Sequence, residues 1–497
     1  MLLVLIIDLV AIATLVSVAA RKGLEQTLPY FVFLVVLLPE ESRIKLEGVF
    51  DLYTHRIALA TLLVLFLIYR KKSTVRVVPF KNLIYLHIAW ATTSTLFSIV
   101  TMTSVKQLLA QLVEYYLLYY IILKTVTKTR TITNVIYAMI AAMSVCSVFG
   151  LLEIYARWSV LSIFPTELQL TYGNGDTLYT EMFDRGVRAR ATFPHPIHFG
   201  AALAMTIPLA FYMATSSRNW AAKIFLNVSL FLMFWGLYKT GSRGPWLAAA
   251  LAMGVLAVGA EAKVRKQIIA VAVLASTVMI VRPGIADTLW NMYRASMDPS
   301  SMMGSSLQYR PVLFHTVMKT LNENPERALL GYGLGSFREK GMILEMPGIE
   351  THRWYTCDST WILFAYETGY VGFLILAILL LKPALLALSS FRKLPKASRQ
   401  FGLSFFSSLV AFYVVMVSVA IYGWGQNGYM LWTMIALSIA YPIVKKDELR
   451  RRAVLVGAQH PVTTATPSLI STSRALKLAD QDEPVSLGSA MWPPRSV

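Results

Sequence analysis

Apolar runs of membrane-spanning length recur along most of this 497-residue chain. A bilayer core needs roughly 20 apolar residues per helix. Such runs read at about 2–20, 28–39, 56–70, 82–101, 107–123, 132–152, 193–215, 220–238, 244–260, 267–282, 359–381, 402–422 and 427–444. This much apolar surface cannot fit inside a few compact cores, so it must face lipid. Hydrophobic residues make up 56% of the chain and charged residues only 15%, which argues against a soluble enzyme, a disordered hub or a disulfide scaffold. The expected fold is an all-α integral membrane protein, a polytopic helical bundle of 12 or 13 transmembrane helices. The run at 28–39 leaves the count open, because it is short and bounded by Pro29 and Pro39. The first run lacks a basic start and is followed by Arg21 and Lys22, so it reads as a retained helix rather than a cleaved signal.

The formal net charge is +19, and its distribution gives an orientation. With thirteen spans and the N-terminus outside, the segments placed inside hold 25 Lys and Arg residues. The short loops placed outside hold 6. That contrast follows the positive-inside rule, so no nucleic acid is needed to explain the basic surplus. Residues 154–192 and 283–358 become periplasmic loops of a bacterial cytoplasmic (inner) membrane protein. The second loop carries helical periodicity, with Arg310, Phe314, Val317 and Leu321 on one side and Pro325 as its limit. The expected organisation is N-terminal transmembrane helices over 1–130, a core over 131–444, and a cytoplasmic tail over 445–497. The tail begins basic and continues rich in Ser, Thr, Ala and Pro, and it is expected to be disordered. Cys146 lies in an apolar run and Cys357 in a polar loop, so a disulfide framework is excluded, and neither has zinc-like spacing.

The residues that carry chemistry gather on the outer side. Arg185-Gly-Val-Arg-Ala-Arg190 precedes a span at its outer end, where the inside rule does not explain it. A guanidinium is a planar fork suited to phosphate oxygens, and snorkelling to headgroups is the structural alternative. Arg190 is the strongest candidate of the three, ahead of Arg188 and Arg185. Lys239-Thr-Gly-Ser-Arg-Gly-Pro-Trp246 forms a tight outer turn that sets Arg243 at the membrane border, where charge is costly unless paired. Arg310 precedes Gly331-Tyr-Gly-Leu-Gly-Ser-Phe337, whose glycines permit a backbone nest for an anion or simply a flexible loop. Asp358 opens the next span, either as an N-cap or as a general base with a raised pKa. Glu367 lies nine residues further along the same helix and favours structural pairing. His352 is six residues before Asp358 and is a second catalytic candidate. His195 and His198 are too few for a metal site. Glu114 stands mid-span among tyrosines, as a functional or a paired carboxylate.

Over about residues 130–440 the chain resembles the O-antigen ligase and O-antigen/exopolysaccharide polymerase superfamily. The resemblance rests on Arg190-Ala-Thr-Phe193, on Ser242-Arg243-Gly244 followed by Trp246, and on Arg310 upstream of the glycine run. It also rests on Glu367-Thr-Gly-Tyr-Val-Gly372. The resemblance implies a C-type membrane glycosyltransferase acting on saccharides carried by polyprenyl diphosphate. It assigns the outer arginines to the diphosphate, here Arg190, Arg243 and Arg310, with Arg188 beside them. Ligases of the superfamily often carry His-Asn where this chain reads Asp358-Ser359, which favours a repeat-unit polymerase.

These readings converge on a polymerase of lipid-linked repeat units on the periplasmic side. A ligase passing glycan to lipid A core or another acceptor is the alternative, and a lipid-linked saccharide transporter or flippase is the third reading. The expected chemistry is inverting and metal-independent, with Asp358 taking the acceptor proton and no cofactor. The expected partners are the lipid-linked donor and acceptor, membrane lipids, and other polysaccharide assembly and export proteins.

Overall fold

The computed structural model describes residues 2–44, 51–69, 77–164, 187–281, 302–345, 352–423 and 425–459, with Val75 and scattered positions between 284 and 297. Each of the thirteen apolar runs falls on helix. In chain order these are α1 (Leu2–Lys22), α2 (Leu24–Leu37), α3 (Thr54–Tyr69), α4 (Lys81–Leu96) and α5 (Thr101–Gln111). A π-helical turn, Leu112–Leu117, joins α5 to α6 (Leu118–Thr125). Then come α7 (Thr129–Tyr155), α8 (Pro196–Ser216), α9 (Trp220–Lys239), α10 (Arg243–Gly259) and α11 (Ala262–Val281). The outer loop contributes α12 (Met302–Asn322), α13 (Pro325–Leu330) and α14 (Ser336–Lys340). The last three are α15 (Thr360–Phe391), α16 (Lys396–Met416) and α17 (Gly425–Gln459). The fold is all-α and polytopic. Seven of these helices are long and apolar enough to cross a membrane by themselves, and α2, α3 and α10 are shorter apolar helices. Among the described residues, strands form only two small antiparallel hairpins. One pairs β1 (Arg43–Ile44) with β2 (Leu52–Tyr53), and the other pairs β3 (Met342–Leu344) with β4 (His352–Trp354).

Two helices form the centre. The most apolar 18-residue stretches of α8 and α17 are 94% buried, whereas that of α1 is only 28% buried and lies at the rim. Small residues explain the position of α8. Gly200, Ala201, Ala202 and Ala204 let neighbouring helices approach closely, and α16, α9 and α10 pack around it. At Gly200 an added Cβ would stand 2.8 Å from Pro245 of α10. The short helix α2 packs along α7, α1 and α3.

Three expectations need correction. In α12 the buried stripe is Tyr309, Leu313, Val317 and Leu321, while Phe314 is 47% exposed. Val317 and Leu321 keep the expected face, and in the first two positions the core face shifts by one residue, to Tyr309 and Leu313. Pro325 does more than limit α12, because it opens α13 behind an Asn324 cap. The tail reading over 445–497 is shortened, because α17 continues unbroken through Gln459. Asp447 pairs with Arg451 at 2.8 Å, one turn apart. The Glu448 carboxylate accepts from Thr129 N at 2.8 Å, which ties the extension to the start of α7. Residues 460–497 lie outside the described residues, as do Arg185 and most of loops 154–192 and 283–301.

Candidate active site

One cavity of about 1230 Å³ collects residues from the segments that the charge rule places outside. Arg188, Arg243, Arg310 and Asp358 all line it, together with His195, His198 and Glu367. A tight turn sets the first two. Arg188 is buried, and its Nε donates to the Thr240 carbonyl at 2.7 Å while Nη2 donates to Ser242 Oγ at 2.6 Å. Gly241 makes this turn with φ +56, a left-handed conformation that glycine adopts at little cost. Ser242 is the N-cap of α10, yet its hydroxyl makes no cap hydrogen bond and serves Arg188 instead. Arg243 is then the first residue of α10, with Ser242 and Gly244 beside it on the cavity wall. The positive end of a helix favours anions and disfavours cations. Arg243 also faces Arg310 as a like charge. This part of the wall therefore favours an anion.

Arg310 comes from α12 on the other side. Its Nη2 donates to the Ser418 carbonyl at 3.2 Å and stands 3.7 Å from Asp358 Oδ2. Gly244 lets α10 approach this point, since an added Cβ would come within 2.7 Å of Ser418 Oγ. Asp358 does not cap α15. That helix begins at Thr360, and Ser359 Oγ accepts from Ile362 N. The Asp358 carboxylate is thereby available to the cavity. Burial pushes its pKa above the usual carboxylate value, and Arg310 only partly offsets that.

The glycine run forms a nest, and the group it holds belongs to the chain. Gly331, Gly333 and Gly335 all have positive φ. The backbone N–H groups of Gly335 and Phe337 hydrogen-bond to the Glu367 side chain. Helix α15 breaks at Gly369, with φ 70 and ψ 177, and its exposed carbonyls accept from the run. Tyr332 N donates to Tyr366 O at 3.0 Å and Gly333 N to Glu367 O at 2.8 Å. From α4, Ser94 Oγ donates to Glu367 O and Trp90 Nε1 to Thr368 O, both at 3.0 Å. A Cβ at Gly331 would lie 2.4 Å from the Glu367 backbone, so no larger residue fits. This clasp carries Leu334, Gly335, Phe337 and Arg338 to the cavity wall.

Two expected site residues are placed differently. Arg190 is buried but is not among the residues lining the cavity. Its charge acts on Glu41 and Glu153, and the N–H groups of Arg190 and Ala191 both donate to Glu153 Oε2, at 2.8 and 2.9 Å. His352 lies in β4 opposite Leu344, and its side chain is outside the described set. His195 is the N-cap of α8, with Nδ1 accepting from Ile197 N at 3.2 Å. The described residues contain no cluster of three or more His, Cys, Asp or Glu arranged for a metal ion.

Residues from the first third of the chain also form part of the wall, notably Glu40, Tyr53, Arg56, Gln111 and Glu114. Glu114 sits in the π-helical turn and pairs with Arg56 at 2.7 Å. Reading the sequence caught Glu114 alone. The signal for its partner was an arginine at the head of an apolar run, which is costly there without a carboxylate.

A family model described as O-antigen ligase matches residues 228–377. The match spans the Arg243 turn, Arg310, the glycine run, Asp358 and Glu367. Arg188 and the N-terminal wall lie outside the matched stretch but share the cavity with it. No curated protein sequence matches the chain at a significant level.

Proposed function

We propose that the chain is a glycosyltransferase that polymerises polyprenyl-diphosphate-linked repeat units at the outer face of the bacterial cytoplasmic membrane. One observation carries this reading. Three arginines and a helix N-terminus converge in a single cavity, with a burial-shifted carboxylate 3.7 Å from one of them. The O-antigen ligase family match supports a lipid-linked saccharide as substrate.

An acceptor hydroxyl attacks the anomeric carbon of the donor sugar. The new C–O bond forms as the bond to the lipid diphosphate breaks, and the proton passes to Asp358. The leaving diphosphate gains charge in the transition state, so fixed guanidinium groups at Arg188, Arg243 and Arg310 stabilise that state more than the bound substrate. A single displacement inverts the anomeric centre. Arg190 takes a different part from the one its sequence suggested, holding the 188–192 segment against Glu41 and Glu153. The Asp358-Ser359 pair favours a polymerase over a ligase.

Deletion of the gene tests this directly. The polymerase reading expects single repeat units on carrier lipid or core in place of long polysaccharide. Wild-type Asp358 restores long chains and Asp358→Asn does not. Unchanged chain length in the deletion strain contradicts the reading. Long lipid-linked chains that fail to reach their final carrier indicate a ligase.

A further inference from the structure

Resting on the glycosyltransferase reading, we propose that the cavity wall built from Glu40, Tyr53, Arg56, Gln111, Glu114 and Tyr429 is the acceptor-sugar subsite. At about 1230 Å³ the cavity exceeds the usual 300–1,000 Å³ of a drug-sized ligand pocket. It has room for more than a diphosphate and one sugar. Its two sides differ in charge. Arg188, Arg243 and Arg310 define a cationic side. The other wall carries the Glu40 carboxylate and the Arg56–Glu114 pair, set among tyrosines. Tyr429 lies within electrostatic reach of Glu114, Arg56 and Glu40, so these groups form one continuous patch. The Arg56 guanidinium also covers the Tyr53 ring at 4.8 Å.

Charge decides the occupant. With Glu114 matched by Arg56, the Glu40 carboxylate leaves this wall without the cationic surplus that a diphosphate needs, and a polyprenyl chain gains nothing from buried charge. A neutral polyol suits this wall. Its vicinal hydroxyls donate to carboxylate oxygens, which only accept, and its apolar ring face packs on tyrosine. Two buried polar atoms reinforce the assignment. Gln111 Oε1 and Tyr429 Oη are bonded to no described group, although both residues are more than nine-tenths buried and both line the cavity. Buried polar atoms left unmatched are costly, and sugar hydroxyls supply the missing partners. The Glu40 carboxylate is held over the start of α17, where an added Cβ at Gly425 would come within 2.8 Å of its Oε1. The subsite and Asp358 line the same cavity, so an acceptor held at this wall shares one space with that base.

Two probes on the full-length protein in lipid nanodiscs test this. One is the phosphate-free oligosaccharide released by mild acid from the host's own lipid-linked repeat units. The other is polyprenyl diphosphate without sugar. Wild type binds both. Glu40→Gln, Gln111→Ala and Tyr429→Phe each weaken the oligosaccharide roughly tenfold or more and leave polyprenyl diphosphate unchanged. Arg243→Ala does the reverse. Tyr429→Phe removes one hydroxyl only and keeps the core packed, so a folding defect in the other variants leaves the outcome decided. Oligosaccharide affinity unchanged in the wall variants overturns the subsite, as does wild type that binds polyprenyl diphosphate but no oligosaccharide. Oligosaccharide binding through this wall with no diphosphate binding retains the subsite and overturns the glycosyltransferase reading.

Discussion

Asp358 and Arg243 owe their roles to small details of helix starts. Because Ser359 caps α15, the carboxylate one position earlier is spared for the cavity. Because Ser242 serves Arg188, the first turn of α10 keeps its positive end open to an anion. Asp358→Asn is expected to lower turnover by about 100-fold or more with insertion intact, as loss of a general base does. The pH profile gives a second check. The base acts deprotonated, so rate falls as pH drops through its folded-state pKa. Burial raises that pKa, so the acid limb lies above the ordinary aspartate range. An acid limb at or below that range contradicts the assignment. The arginines separate into two groups. Arg243→Ala and Arg310→Ala cost binding of the lipid diphosphate with little change in melting temperature. Arg190→Ala lowers the melting temperature, because it leaves Glu41 and Glu153 buried without that charge. Arg188 and Arg243 were legible as cations at outer span ends that break the inside rule, Arg310 through the helical periodicity of its loop, and Asp358 as the acid that opens the next span. The difference between Arg188 and Arg190 was not. Both sit in an irregular segment, where no period says which side chain faces the cavity.

The glycine run and the broken span act as one element. The sequence permits a nest for an anion, and the group held there is the Glu367 side chain of α15. The reversal is physical: a nest filled by a fixed side chain stiffens the wall rather than binding substrate. Gly331→Ala tests it. Alanine at φ 74 and ψ −170, a conformation nearly confined to glycine, costs about 1–3 kcal/mol, and its Cβ would press within 2.4 Å of the Glu367 backbone. The expected result is a lower melting temperature and lost glycan assembly in a protein that still inserts. Normal activity in Gly331→Ala contradicts the clasp. Helix existence was legible throughout, because apolar runs of this length have few other solutions. Helix phase and helix ends were less so. In α12 Leu313 rather than Phe314 faces the core. In α17 the basic stretch past Ile443 stays helical, with Asp447 paired to Arg451 one turn on and Glu448 docked on the start of α7.

At the scale of the whole molecule, the polar groups of the cavity come from segments spread between Glu40 and Tyr429. The boundary expected near residue 130 divides the chain but not the site, because N-terminal helices supply one wall. That wall was hard to read because its charges are few and are mostly matched within the chain, as Arg56 and Glu114 are. Orientation is testable with single cysteines in a Cys146→Ser, Cys357→Ser background. Lys239→Cys is expected to react with a membrane-impermeant maleimide from outside, and Lys263→Cys only after the membrane is opened. The reverse pattern contradicts the placement of the cavity at the outer face. The most direct measurement of the central claim is product analysis in proteoliposomes that hold the purified chain and lipid-linked repeat units alone. The prediction is long glycan on polyprenyl diphosphate, made by wild type and absent with Arg243→Ala and Asp358→Asn. Movement of the lipid-linked saccharide across the bilayer without elongation, or elongation that survives both substitutions, would contradict it.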